Sequence, residues 1–107
     1  MITVAVVLSR IPALDEATLQ RWIAQEWVRP VLRNGEALFA EIDLARLQLI
    51  LELRDFLEVG EGAMPVVLSL LDQLHETRRQ MRRLCEALGA AGAGETAQDL
   101  VRRLNRF

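Results

Sequence analysis

The chain has no lysine, one cysteine, one histidine and three prolines, and its aromatic side chains make up 5% of the total. Each shortage closes a class of function. A lone cysteine, Cys85, cannot build an intrachain disulfide framework or a cysteine cluster for a metal. A lone histidine, His75, excludes a His-rich metal site within one chain. No apolar run approaches the roughly 20 residues that cross a bilayer. Met1 to Leu8 has no basic leading stretch, and Arg10 follows the apolar segment instead of preceding it. That order does not fit a secretory signal and makes a reducing, cytoplasmic setting the expectation. No nucleophile–base constellation is visible either. Cys85 reads as a small core residue beside an apolar seam, and His75 as a surface residue. The carboxylates Asp15/Glu16 and Glu52/Asp55/Glu58 lack a pocket that would drive two pKa values apart. No catalytic, cofactor-binding or metal-ligating residue is assigned, and neither an enzyme activity nor a cofactor is expected.

What is present is a globular composition: 107 residues, 51% apolar and 26% charged, enough for one domain with a core of its own. A pair of such chains would bury a larger share of its surface. All 13 basic residues are arginines, set against 15 acids for a net charge of −2. The charge is unevenly spread. Met1–Met64 has 6 Arg and 10 Asp/Glu, a net of −4, whereas the remainder has 7 Arg and 5 Asp/Glu, a net of +2. Phosphate binding needs clustered positive charge, so the first half has the wrong sign for it and suits a basic protein surface better.

Residues 2–7, Ile-Thr-Val-Ala-Val-Val, are rich in β-branched side chains and read as a short strand, with a helix as the competing reading. Pro12 ends whatever precedes it. Leu14-Asp15-Glu16 opens an amphipathic helix through Leu19, Trp22 and Ile23 to about Glu26, closed by Pro30. Trp22 belongs to the core; Trp27 is open between core and interface. Asn34-Gly35, flanked by short apolar arms, predicts a small β-hairpin with a type I′ turn. Asp43 is the expected N-cap of a helix to about Glu58, apolar over much of its girth through Leu44, Leu47, Leu49, Ile50, Leu51, Leu53, Phe56 and Leu57. Val59-Gly60-Glu61-Gly62 reads as a helix end and turn, not a phosphate loop, since it follows a helix and lacks a third glycine.

Pro65 fits the first turn of a helix over Met64–Leu88. Along it Val67, Leu70, Leu74, Thr77, Met81, Leu84 and Leu88 alternate spacings of three and four, a coiled-coil seam of about three heptads. At 1.5 Å per residue this helix is about 37 Å long and outreaches a domain of this size. The expectation is therefore a homodimer through Val67, Leu70, Leu74, Met81, Leu84 and Leu88, with the helix at 43–58 as the alternative partner. Intrahelical ion pairs account for the Arg78, Arg79, Arg82, Arg83 cluster as well as nucleic acid would. Gly89–Gly94 reads as a turn. Thr96-Ala97-Gln98-Asp99 resembles a capping box opening a last helix, Ala97 to Asn105, with Arg102, Arg103 and Arg106 solvated. The division expected is a domain over 1–62 and a dimerisation helix with a short C-terminal helix over 63–107, together one structural unit.

Residues 18–30, Thr-Leu-Gln-Arg-Trp-Ile-Ala-Gln-Glu-Trp-Val-Arg-Pro, resemble the second helix and exit of a MerR-type winged helix-turn-helix. The hairpin at Asn34-Gly35 falls where that fold has its wing, and the long helix falls where MerR proteins dimerise. Within that superfamily the chain is similar to the chaperone modulatory protein family, CbpM. The similarity lies in Leu53-Arg54-Asp55-Phe56-Leu57-Glu58-Val59 and in Met64-Pro65-Val66-Val67-Leu68-Ser69-Leu70-Leu71-Asp72-Gln73-Leu74, and covers about residues 14–90. The fold it implies is mainly α, a MerR-like winged helix-turn-helix with a small β-hairpin and a long dimerisation helix.

The chain departs from the DNA-binding relatives at their basic positions. Where they carry Thr-Leu-Arg-Tyr-Tyr and a Gly-Leu before the proline, this chain has Gln20 and Glu26. Where their wing carries an arginine in Gly-x-Arg-x-Tyr, it has Ala37, and the last residue is Phe39. The helix that would enter the major groove begins Asp15-Glu16, and carboxylates pushed toward phosphates weaken binding. What the CbpM resemblance implies is a non-enzymatic modulator or inhibitor that binds the J domain of a DnaJ-like, CbpA-type co-chaperone and restrains its work with its chaperone. J domains carry a basic helix, and the net negative first half points to Glu52, Asp55 and Glu58, at spacings of three on one helix, with Glu61 just beyond, as the expected partner-binding face, with a merely solvated helix face as the competing reading. The alternative is a MerR-like transcriptional regulator binding DNA as a dimer, for which Arg21 and Arg33 are the few basic residues available. DNA is not the expected partner, and neither is a membrane.

Overall fold

The structure, a computed structural model, describes residues 1–90, 98–99, 101–103 and 105. It is mainly helical with one small antiparallel sheet. The order is β1 (Ile2–Thr3), α1 (Val4–Arg10), α2 (Glu16–Ala24), β2 (Val31–Arg33), β3 (Glu36–Phe39), α3 (Glu41–Asp55) and α4 (Met64–Leu88). The chain forms two compact units, Met1–Pro65 and Val66–Phe107. No described helix is long and apolar enough to cross a membrane.

In the first unit the strand expected over 2–7 is cut to Ile2–Thr3, and the rest becomes α1. Two forces defeat the β-branched composition. Thr3 caps the helix, its Oγ1 accepting the Val6 N–H at 3.4 Å. Helical spacing also brings Val7 and Ile11, four apart, onto one face, and both are buried. Ile11 is the C-cap, just before Pro12.

The sheet has the order β1-β3-β2 and is antiparallel throughout. Ile2 pairs with Phe39 and Thr3 with Leu38 on one side of β3; Val31 pairs with Leu38 and Arg33 with Glu36 on the other. Between β2 and β3, Asn34 at φ 51° and Gly35 at φ 77° both take the left-handed backbone of the type I′ turn. Phe39 at the end of the central strand is fully buried, while β2 lies exposed along its length.

Helix α3 begins at Glu41, so its N-cap is Ala40 and not Asp43. Asp43 instead sits at the third helical position and its Oδ2 accepts the Ala40 N–H at 2.8 Å. An aspartate satisfies a free helix-end donor from either place, which is why the sequence alone shifts the start. The helix ends at Asp55, three residues earlier than expected. Leu44, Leu47, Ile50, Leu51 and Leu53 face the core with Val7, Leu19, Trp22 and Phe39. Full burial of such a side chain contributes roughly 1.5–3 kcal/mol.

Helix α4 has the expected limits, with Pro65 in its first turn where no intrahelical N–H bond is lost. In the second unit Leu68 and Cys85 are buried, whereas Leu70, Leu74 and Leu84 are 59%, 44% and 51% exposed. Val67, Met81 and Leu88 are half-buried. Gly89 and Ala90, expected in a turn, continue the helix in a wider winding, and the rest of that turn lies outside the described residues. So do Thr96 and Ala97 of the expected capping box, with Leu100, Leu104 and Arg106. Gln98, Asp99 and residues 101–103 are helical, and Arg82 donates to the Asn105 Oδ1 at 3.4 Å.

Candidate functional site

Helix α2 is the helix whose sequence carries the resemblance over residues 18–30, so its solvent face is a candidate surface. Asp15 is its N-cap, and the Oδ1 accepts the Thr18 N–H at 2.7 Å. That bond, with the Thr18 hydroxyl, holds the Asp15 carboxyl below its ordinary range. Asp15 and Glu16 are exposed, as are Ala17, Gln20 and Ala24. The one arginine of the helix, Arg21, is tied to Glu61 at 2.7 Å.

The helix ends in a Schellman motif. The Glu26 N–H bonds the Ile23 carbonyl and the Trp27 N–H the Trp22 carbonyl, each at 3.0 Å, and Glu26 takes φ 61°. The hydrophobic contact that accompanies this motif is between the two tryptophans, with ring centroids 6.1 Å apart. Trp27 is therefore a core residue, 5% exposed, and Arg46 donates to its carbonyl. The guanidinium of Arg54 lies 5.7 Å from the Trp22 ring centroid, a cation–π distance.

The expected partner-binding residues are not all presented as the spacing implies. Glu52 and Asp55 lie on α3, but Glu58 does not, because the helix has already ended. The last turn widens: the Leu57 N–H reaches back to the Glu52 carbonyl at 3.3 Å, and the Val59 N–H to the Leu53 carbonyl at 2.9 Å. Glu58 supplies the left-handed residue at φ 55°, a role the nearby Gly60 and Gly62 do not take. Asp55 is paired with Arg54 at 2.8 Å, a hydrogen bond that lowers the carboxyl pKa and raises that of the arginine. Glu61 is held by Arg21. Glu52 and Glu58 are exposed and make no ion pair among the described residues.

Arg10 in the first unit is similarly engaged. Arg10 forks onto Glu41 with bonds of 2.9 and 3.1 Å, which raises the arginine pKa and lowers that of the glutamate. Arg33 lies opposite Glu36 in the hairpin register without an ion pair to it. On α4, Arg79 pairs with Glu76 at 3.0 Å, as expected for intrahelical pairing. No grouping of three or more His, Cys, Asp or Glu suited to a metal occurs among the described residues.

Apolar spacing alone does not separate Phe56 and Leu57 from the buried positions of α3. Both belong to the apolar set expected to centre α3 in a core or interface, yet they are 81% and 70% exposed. Helical phase carries the signal for Phe56: it follows Ala45 by eleven residues and Glu52 by four, and both of those face solvent. Comparison of the chain with protein-family models, with curated proteins and with solved structures gives no match.

Proposed function

We propose that this chain is a non-enzymatic modulator of a DnaJ-like, CbpA-type co-chaperone, binding its J domain as a homodimer paired through α4. The observation that carries the reading is the charge on α2. A helix in the position of a DNA-recognition helix turns Asp15 and Glu16 to solvent and has its one arginine neutralised by Glu61. Phosphates are repelled by such a face, whereas a basic protein surface is attracted.

Two further features support a MerR-like ancestry for this surface. After β1, two helices, a hairpin, helix α3 and the long helix α4 follow one another, an order compatible with the one the resemblance implies. Glu26, at the position where the relatives carry glycine, holds a left-handed backbone that glycine favours. The exposed Leu70, Leu74 and Leu84 support pairing through α4, since large apolar side chains repeated along one helix call for a cover.

Binding of the purified chain to an isolated J domain tests the proposal. Glu52 and Glu58 are the unpaired carboxylates, so Glu52→Lys with Glu58→Lys is expected to slow association about tenfold at low salt and flatten its salt dependence. A J domain that fails to bind the unaltered chain overturns the reading.

A further inference from the structure

We infer that Phe56 and Leu57 form the apolar anchor by which this chain holds a basic polypeptide helix, with Glu52, Asp55 and Glu58 as its charged rim. The inference rests on the proposed function, in which that helix belongs to a J domain, and replaces a purely electrostatic face with a dry centre.

Phe56 and Leu57 are adjacent large apolar residues at 81% and 70% exposure, directly after a helix that buries Leu44, Leu47, Ile50, Leu51 and Leu53. Exposed apolar side chains rimmed by polar ones mark interaction sites, and aromatic anchors dominate their energetics. The pair is also held in place. Hydrogen bonds from the Leu57 and Val59 N–H groups to the Glu52 and Leu53 carbonyls close the turn around it. A fixed backbone lowers the ordering entropy lost on binding.

Charge selects the occupant. Of the four carboxylates from Glu52 to Glu61, Asp55 is paired with Arg54 and Glu61 with Arg21, which leaves Glu52 and Glu58 as the uncompensated negative charges around the pair among the described residues. Anionic lipid headgroups and nucleic acid are repelled by that rim. A second copy meeting this patch across a two-fold axis would set the same carboxylates against each other. A helix that carries an apolar side chain between lysines or arginines one turn apart matches both the centre and the rim.

The test is association and dissociation of the full chain with a purified J domain, comparing the unaltered chain with Phe56→Ala/Leu57→Ala. The expected result is about 30-fold weaker binding, carried mostly by faster dissociation, with association rate and salt dependence retained. Ile42→Ala, an equally exposed apolar truncation at the other end of α3, is expected to leave both rates unchanged. Phe56→Tyr, which keeps the ring, is expected to restore most of the lifetime. Unchanged dissociation in Phe56→Ala/Leu57→Ala overturns the anchor while leaving the proposed function in place. A shift of that variant to a smaller species in sedimentation also overturns it, because the patch would then belong to a second copy. A J domain that does not bind the unaltered chain removes the inference together with the reading it rests on.

Discussion

Glu26 stands in a left-handed conformation that costs an L-residue roughly 1–2 kcal/mol and glycine almost nothing. Its side chain is exposed and makes no ion pair among the described residues, so nothing local offsets that cost. Glu26→Gly is therefore expected to raise stability by about 1 kcal/mol in denaturant unfolding, with the midpoint moving and the slope unchanged. Asp15 offers a second test at this scale. Its folded-state pKa is lowered, first by the Thr18 N–H, and those of Glu41 and Asp55 are lowered by Arg10 and Arg54. A carboxyl depressed on folding stabilises above its unfolded pKa, near 4, and loses that contribution as pH falls through its folded value. The thermal midpoint should thus fall between about pH 5 and pH 2. In Asp15→Asn the fall should be smaller, because asparagine caps the helix without titrating. An acid-induced fall of undiminished size in that variant would count against the cap as a source of it.

At the scale of elements, the signals that survive are those with a local cause. Asn34-Gly35 gives the hairpin its turn because both residues tolerate positive φ, and the 3-4 apolar spacing of α4 yields a helix with the expected limits. Signals that compete with tertiary burial fail. The β-branched run after Thr3 becomes α1, since helical spacing gathers Val4, Val7, Leu8 and Ile11 on one face and leaves Val6 exposed. The predicted end of α3 at Glu58 fails because no breaker precedes it; the turn is made by a glutamate and not by a glycine. For α4 the exposed leucines carry a prediction. Leu70→Glu with Leu74→Glu is expected to convert a homodimer to a monomer in sedimentation. The buried fluorescence of Trp22 and Trp27, which report on the first unit, should stay unchanged. A monomer already in the unaltered chain would refute pairing through this seam.

For the whole molecule the division of charge is the governing quantity. The Met1–Met64 half is net negative, and of its six arginines Arg10, Arg21 and Arg54 are each held by a carboxylate. Counterion release from DNA requires several unengaged cations on one face. A duplex oligonucleotide is accordingly expected to migrate unretarded in a gel shift at low salt, even with micromolar protein. Saturable retardation would favour the transcriptional-regulator reading over J-domain binding.

Sequence by itself determined the limits of α4, the hairpin turn, the charge asymmetry and the apolar repeat along α4, because each depends on residues within a few positions of one another. It also named the four carboxylates, but spacing could not tell which of them were engaged. Folding decided that. It joined Glu61 to Arg21, forty residues away, and ended α3 before Glu58. It also turned Phe56 to solvent while Leu53, three residues earlier, was buried. Ion pairing and burial depend on which surfaces the chain brings together over long separations, and no local pattern specifies that.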